Sequence, residues 1–170
     1  MTYRYGRDWH PVLKKPIDEI AETAAKQRWA NGPAFSVSKL SPSHDQPDYT
    51  LLVGREGEVV RTKRYRPTGA IDTIYTFEPE ADQMFLTEVV AYAYPDEAKY
   101  YGQHQSAAVS TIGFRSDGSA VRRFSVSGQR DARVSRYTDV DVSAHWVPMI
   151  TFGDWDRFGA AREPTGPATP

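Results

Sequence analysis

Apolar and polar residues alternate one by one along most of the chain. "AFSVSKL" puts Phe35 and Val37 on one side; "DYTLLVG" does so with Tyr49, Leu51 and Val53, and "GAIDTIYTFE" with Ile71, Thr73, Tyr75 and Phe77. A period of two is the signature of a half-buried strand. "QMFLTEVVAYAYP" is apolar on both sides, with Met84, Leu86, Val90, Tyr92 and Tyr94 against Phe85, Val89, Ala91 and Ala93. That pattern predicts a central strand covered on both faces. "SAAVSTIGF" and "AVRRFSVS" flank "SDGS", whose Asp-Gly pair suits a tight hairpin turn, and "GREGE" joins two earlier strands in the same way. "RTKRYR" carries cations on both of its sides, which predicts an edge strand.

One segment has a helical period instead. In "PIDEIAETAAKQRWANGP", Pro16 suits the first helical position, the acids Asp18, Glu19 and Glu22 suit the N-terminal end, and Lys26 and Arg28 suit the C-terminal end. Asn31, Gly32 and Pro33 stop it. The spacing predicts a helix from Pro16 lying over one face of the central strand. The expected fold is therefore α+β and β-dominated: one N-terminal helix packed on a strongly curved antiparallel sheet of about eight strands, with a partial barrel as the limit of its curl. Residues 1–160 are expected to form a single domain and 161–170 a mobile tail rich in Pro and Gly.

Composition narrows the function. The chain has 170 residues, 39% of them hydrophobic and 25% charged, with a formal net charge of -1. That balance gives no global attraction to nucleic acid or to an anionic membrane, and neither is expected as a partner. With no cysteine there are no disulfides, thiolate metal sites or cysteine nucleophiles. No apolar run reaches the roughly 20 residues that span a bilayer, and a soluble, cytoplasmic protein is expected. Phosphate loops, nucleophile elbows, H-E-x-x-H and dinucleotide fingerprints are all missing, so no cofactor is expected.

Charge is segregated along the chain. Between Ala70 and Ala98 there are seven acids and no Lys or Arg, whereas Arg61, Lys63, Arg64 and Arg66 make one basic run, and Arg122 and Arg123 begin another. These runs could protect an edge or complement the acidic strands across the ladder. They could instead recognise a protein with an acidic surface, as an immunity protein or a small adaptor would, with Arg61, Lys63, Arg64, Arg66, Arg122 and Arg123 as the contact residues and no catalysis. RNA binding on the arginines ranks lower, since only Tyr65 interleaves the first run. The alternative is an internal pocket that binds a small hydrophobic ligand or runs cofactor-free cyclase or isomerase chemistry, walled by Tyr92, Tyr94, Trp146 and Trp155.

"TDVDVSAHWVPMITFGDWD" holds the densest chemistry. On an unbroken strand Asp139, Asp141 and His145 share a face, which could hold a metal or a general base, or could be the solvated side of a last strand. A metal site needs three or four converging ligands, and none is assigned here. Trp146, Phe152, Trp155 and Phe158 are spaced too irregularly for one strand and suit a segment that plugs the sheet, with Trp9 and Trp29 joining it. His10, His44 and His104 lie in polar surroundings and are expected to be exposed.

Overall fold

A computed structural model describes residues 2–43 and 45–162, so His44 and residues 163–170 lie outside the described residues. The period-two segments all form strands. In chain order they are β1 (Tyr3–Gly6), β2 (Asp8–His10), β3 (Lys15–Ile17), β4 (Phe35–Leu40), β5 (Pro47–Val53), β6 (Val60–Tyr65), β7 (Ile71–Glu80), β8 (Gln83–Ala93), β9 (Ala108–Phe114), β10 (Ala120–Val126), β11 (Arg133–Tyr137) and β12 (Trp146–Pro148). Helix α1 spans Glu22–Asn31 and the short α2 spans Asp156–Gly159. Ten strands make one antiparallel sheet in the order β1-β4-β5-β6-β7-β8-β9-β10-β11, with β12 paired to the start of β8, while β2 and β3 form a separate hairpin. The sheet is larger than the expected eight strands and does not close into a barrel: β1 and β11 are its two ends.

Register defines the two faces. Val37, Leu51, Thr62, Tyr75, Val89 and Ile112 are successive cross-strand partners, and the first five of this row are buried. This is the core face. The C-terminal segment covers it, as the aromatic spacing suggested: Trp155 and Phe158 are fully buried, and Trp155 packs edge-on to Trp29, Phe35 and Phe152. Hydrogen bonds fix that cover at several points. Thr62 Oγ1 donates to the Phe158 carbonyl at 2.9 Å, and Lys39 Nζ reaches Asp156 at 2.8 Å. The Tyr49 hydroxyl donates to the same carboxylate. Burial raises the Asp156 pKa, but hydrogen bonds from Lys39, Tyr49 and Tyr3 outweigh it and hold the group below the ordinary carboxylate value. Gly159 lies against the Tyr49 ring, which leaves no room for a Cβ.

The helix begins six residues later than predicted. Pro16 is buried in β3 opposite Trp9, the Ile17 carbonyl accepts the Arg7 N–H at 2.7 Å, and Asp18 takes a positive φ of 49°. The segment from Pro16 to Ile20 is thus spent pairing with the first strands, and Ile20 bridges Tyr5. α1 does not lie over the central strand: it packs mainly on β1 and on the Arg55–Gly57 turn, burying Ala25 completely and placing Trp29 in the aromatic cover. The expected edge is also corrected. β6 pairs with β5 on one side and β7 on the other, and two of its cations, Lys63 and Arg64, find partners inside the chain. β8 is central as predicted, although its last residues, Ala91 to Ala93, are not fully covered. Of the expected tail, residues 163–170 lie outside the described residues. Arg162 is held by its backbone to the Tyr75 hydroxyl at 3.0 Å and by its guanidinium 5.1 Å above the Phe77 ring. No helix among the described residues is long and apolar enough to cross a membrane.

Candidate functional site

The chemically dense stretch near the C-terminus comes apart. β11 ends at Tyr137, Asp139 takes a φ of 60°, and the Asp141 carboxylate accepts the Ser143 N–H at 2.9 Å to start a 3-10 turn, Ser143–His145. Asp139 and Asp141 are exposed; His145 is buried, its ring 5.7 Å from Phe85 and edge-on to Phe114 at 4.5 Å. The shared face therefore does not form, because the strand that would create it is broken. Burial pushes the His145 imidazole below its ordinary pKa, against a backbone hydrogen bond at Leu86. Among the described residues no group of three or more His, Asp or Glu could hold a metal ion.

The four residues expected to wall one pocket fall in two places. Trp146 packs on Phe85 at 4.7 Å and Trp155 fills the core, whereas Tyr92 and Tyr94 sit at the far end of β8 in a stack with Tyr101. Trp9 leaves the aromatic cover altogether. Its indole donates to Gln46 at 2.9 Å, on the other side of the sheet.

The basic run on β6 does not form one surface. Arg64 lies on the core side and donates to the Gly159 carbonyl; Lys63 points to the outer face and pairs with Asp8. Arg66 binds Asp72 at 3.0 Å and the Tyr92 carbonyl at 3.1 Å, and its guanidinium lies 5.2 Å above the Tyr94 ring. Only Arg61 is exposed.

The second basic run is different. Six arginines, Arg115, Arg122, Arg123, Arg130, Arg133 and Arg136, lie between Ser106 and Tyr137 with only Asp117 and Asp131 for acids. None of the six forms an ion pair among the described residues, although cations elsewhere in the chain do. Register sorts them. Arg122 and Arg133 lie on the core face, with Arg122 bonded to Ser110 at 3.1 Å and set over Phe124; Arg123 and Arg136 lie on the outer face, facing Val134 and Val121 across the ladder. Both valines are largely exposed, at 51% and 45%. Among the described residues β11 has a partner on one side only, so its other edge offers backbone N–H and C=O groups that none of them uses.

A pocket of about 200 Å³ opens on the outer face, between the β2–β3 hairpin, the ends of β6 and β7, and the loop Tyr100–Gln103. Lys63, Asp8, Trp9, Tyr65, Tyr100 and Tyr101 line it. Of the predicted site residues it contains only Lys63. Nothing local in the sequence marks it, since Asp8 and the tyrosine loop come from distant parts of the chain; the weak signal is that Lys63 and Tyr65 alternate onto one face. No protein-family model, curated protein or solved structure matches this chain.

Proposed function

We propose that this chain is a non-catalytic recognition domain that takes an acidic, extended segment of a partner protein along the open edge of β11. The observation that carries this reading is the group of six arginines without a single ion pair among the described residues, on and around a strand edge that none of those residues pairs with. Arginine at an edge keeps a second copy from adding itself, because like charges would meet across the new ladder. An acidic segment reverses that sign: it gains the backbone hydrogen bonds of strand addition and meets Arg133 on one face and Arg136 on the other. Val121 and Val134 supply an apolar contact beside them. An immunity protein or an adaptor would use an edge of this kind. A hydrophobic ligand cavity on the core face has less in its favour, because Phe152, Trp155 and Phe158 occupy that face.

The test compares two synthetic peptides of about ten residues, a length matched to a long strand. One alternates Glu with Val; the other replaces every Glu by Lys. Amide shifts are expected along Arg133–Tyr137 with the acidic peptide alone, and the triple reversal Arg123→Glu, Arg133→Glu, Arg136→Glu should weaken binding about tenfold or more. Shifts confined to another part of the sheet, or tighter binding of a single-stranded RNA than of the acidic peptide, would reject the reading.

A further inference from the structure

The pocket on the outer face is independent of the β11 edge, and its chemistry is specific enough to name a ligand class. Its walls are held in place before anything binds. Gln46 ties the Trp9 indole to the Pro11 carbonyl through two hydrogen bonds of 2.9 Å each, and Gly69, at a φ of 89°, lies so close to Gln46 that a Cβ would displace it. On the opposite wall, Tyr101 stacks on Tyr94 at 5.9 Å, and Gln103 donates to the Tyr92 hydroxyl at 2.8 Å. Tyr94 is itself fixed by a hydrogen bond of 2.8 Å to the Ile71 carbonyl and by Arg66 above its ring. Preorganised aromatic walls lower the ordering cost of binding a flat molecule.

The polar groups set what that molecule carries. Lys63 and Asp8 pair at 2.5 Å, with side-chain exposures of 20% and 37%. Lysine has three N–H donors, and Asp8 takes one; Asp8 accepts Lys63 on one oxygen and the Trp9 N–H on the other, so each oxygen keeps a lone pair. The pocket thus presents a donor immediately beside an acceptor with no net charge. A carboxylate ligand would be repelled by Asp8 and an ammonium by Lys63. A neutral ring with a carbonyl next to a ring N–H satisfies both. Burial raises the Tyr65 pKa against a hydrogen bond with Thr50. A volume of about 200 Å³ lies below the ~300 Å³ at which pockets for drug-sized ligands begin, which suits a single ring.

We infer that this pocket binds a small, uncharged, single-ring lactam: a planar heterocycle whose carbonyl accepts from Lys63 and whose adjacent N–H donates to Asp8. The probes are 2-pyridone, its N-methyl derivative and benzoate, each titrated into the full chain and followed by NMR. 2-Pyridone should shift the Trp9 indole N–H and the Tyr100–Gln103 amides, N-methyl-2-pyridone should bind about tenfold more weakly because Asp8 loses its donor, and benzoate should be weaker still. Tyr100→Ala removes a wall that is 44% exposed, so the fold should survive while 2-pyridone affinity drops. Equal or tighter binding of benzoate, no discrimination against the N-methyl ring, or no pocket shift with 2-pyridone at its solubility limit would overturn the inference.

Discussion

His145 shows how a residue can look chemical in the sequence and act through packing in the fold. Held against Phe85 and Phe114, its ring is kept neutral by burial, which lowers its pKa from the usual 6.5. The unfolded chain still binds a proton near that value, so the unfolded state gains protons first as pH falls. Stability contributed by the neutral ring is complete above about pH 6.5 and is lost as pH drops through that value toward the lowered folded pKa. The urea midpoint should therefore fall between about pH 7.5 and 5.5, a range clear of ordinary carboxylates, and fall less steeply in His145→Gln. Parallel profiles in the two proteins would show that another group is responsible. The burial was not legible beforehand because it depends on Asp139 turning the chain out of the strand, and positive φ at an aspartate leaves no trace in a hydrophobic pattern.

At the scale of elements, β6 separates two kinds of exposure that the sequence merges. Arg61 is exposed and forms no ion pair among the described residues, while Thr62, its neighbour, is fully buried and donates to the Phe158 carbonyl. Arg61→Ala should change stability by no more than about 0.5 kcal/mol. Thr62→Val should cost about 1–3 kcal/mol, since it leaves a buried carbonyl without its donor. Chemical denaturation of both variants distinguishes a central strand from an edge, where both changes would be tolerated alike. The strands were readable because alternation is local, and "SDGS" was readable because its turn needs one glycine, Gly118, with a φ of 82°. The position of β6 was not readable. Lys63 pairs with Asp8, Arg64 donates to the Gly159 carbonyl and Arg66, just beyond the strand, pairs with Asp72, and two of those three partners lie far along the chain. The helix start failed for a related reason: Pro16 fits a helix as well as it fits β3, and only the pairing with Trp9 decides between them.

At the scale of the whole molecule, most neighbouring strands are also neighbours in sequence, so the sheet itself forms through short connections. Its cover does not. β12 returns to β8, Phe158 packs on Phe77 of the central β7, and Trp155 reaches Phe35 of β4, near the other end of the sheet. A chain ending after Val142 should retain strand signal in the far ultraviolet yet lose its near-ultraviolet bands and bind a hydrophobic dye, because Phe35, Phe77 and Val60 lose their cover. Retained near-ultraviolet bands without dye binding would mean that the sheet packs unaided. The same arrangement imposes an order in time during synthesis. β11 leaves the ribosome before Phe158 does, and at ~5–20 residues per second the intervening stretch takes about one to four seconds. Throughout that interval the strands can pair but their apolar side has nothing to rest on. The nascent chain's uncovered apolar face is then the surface most open to aggregation.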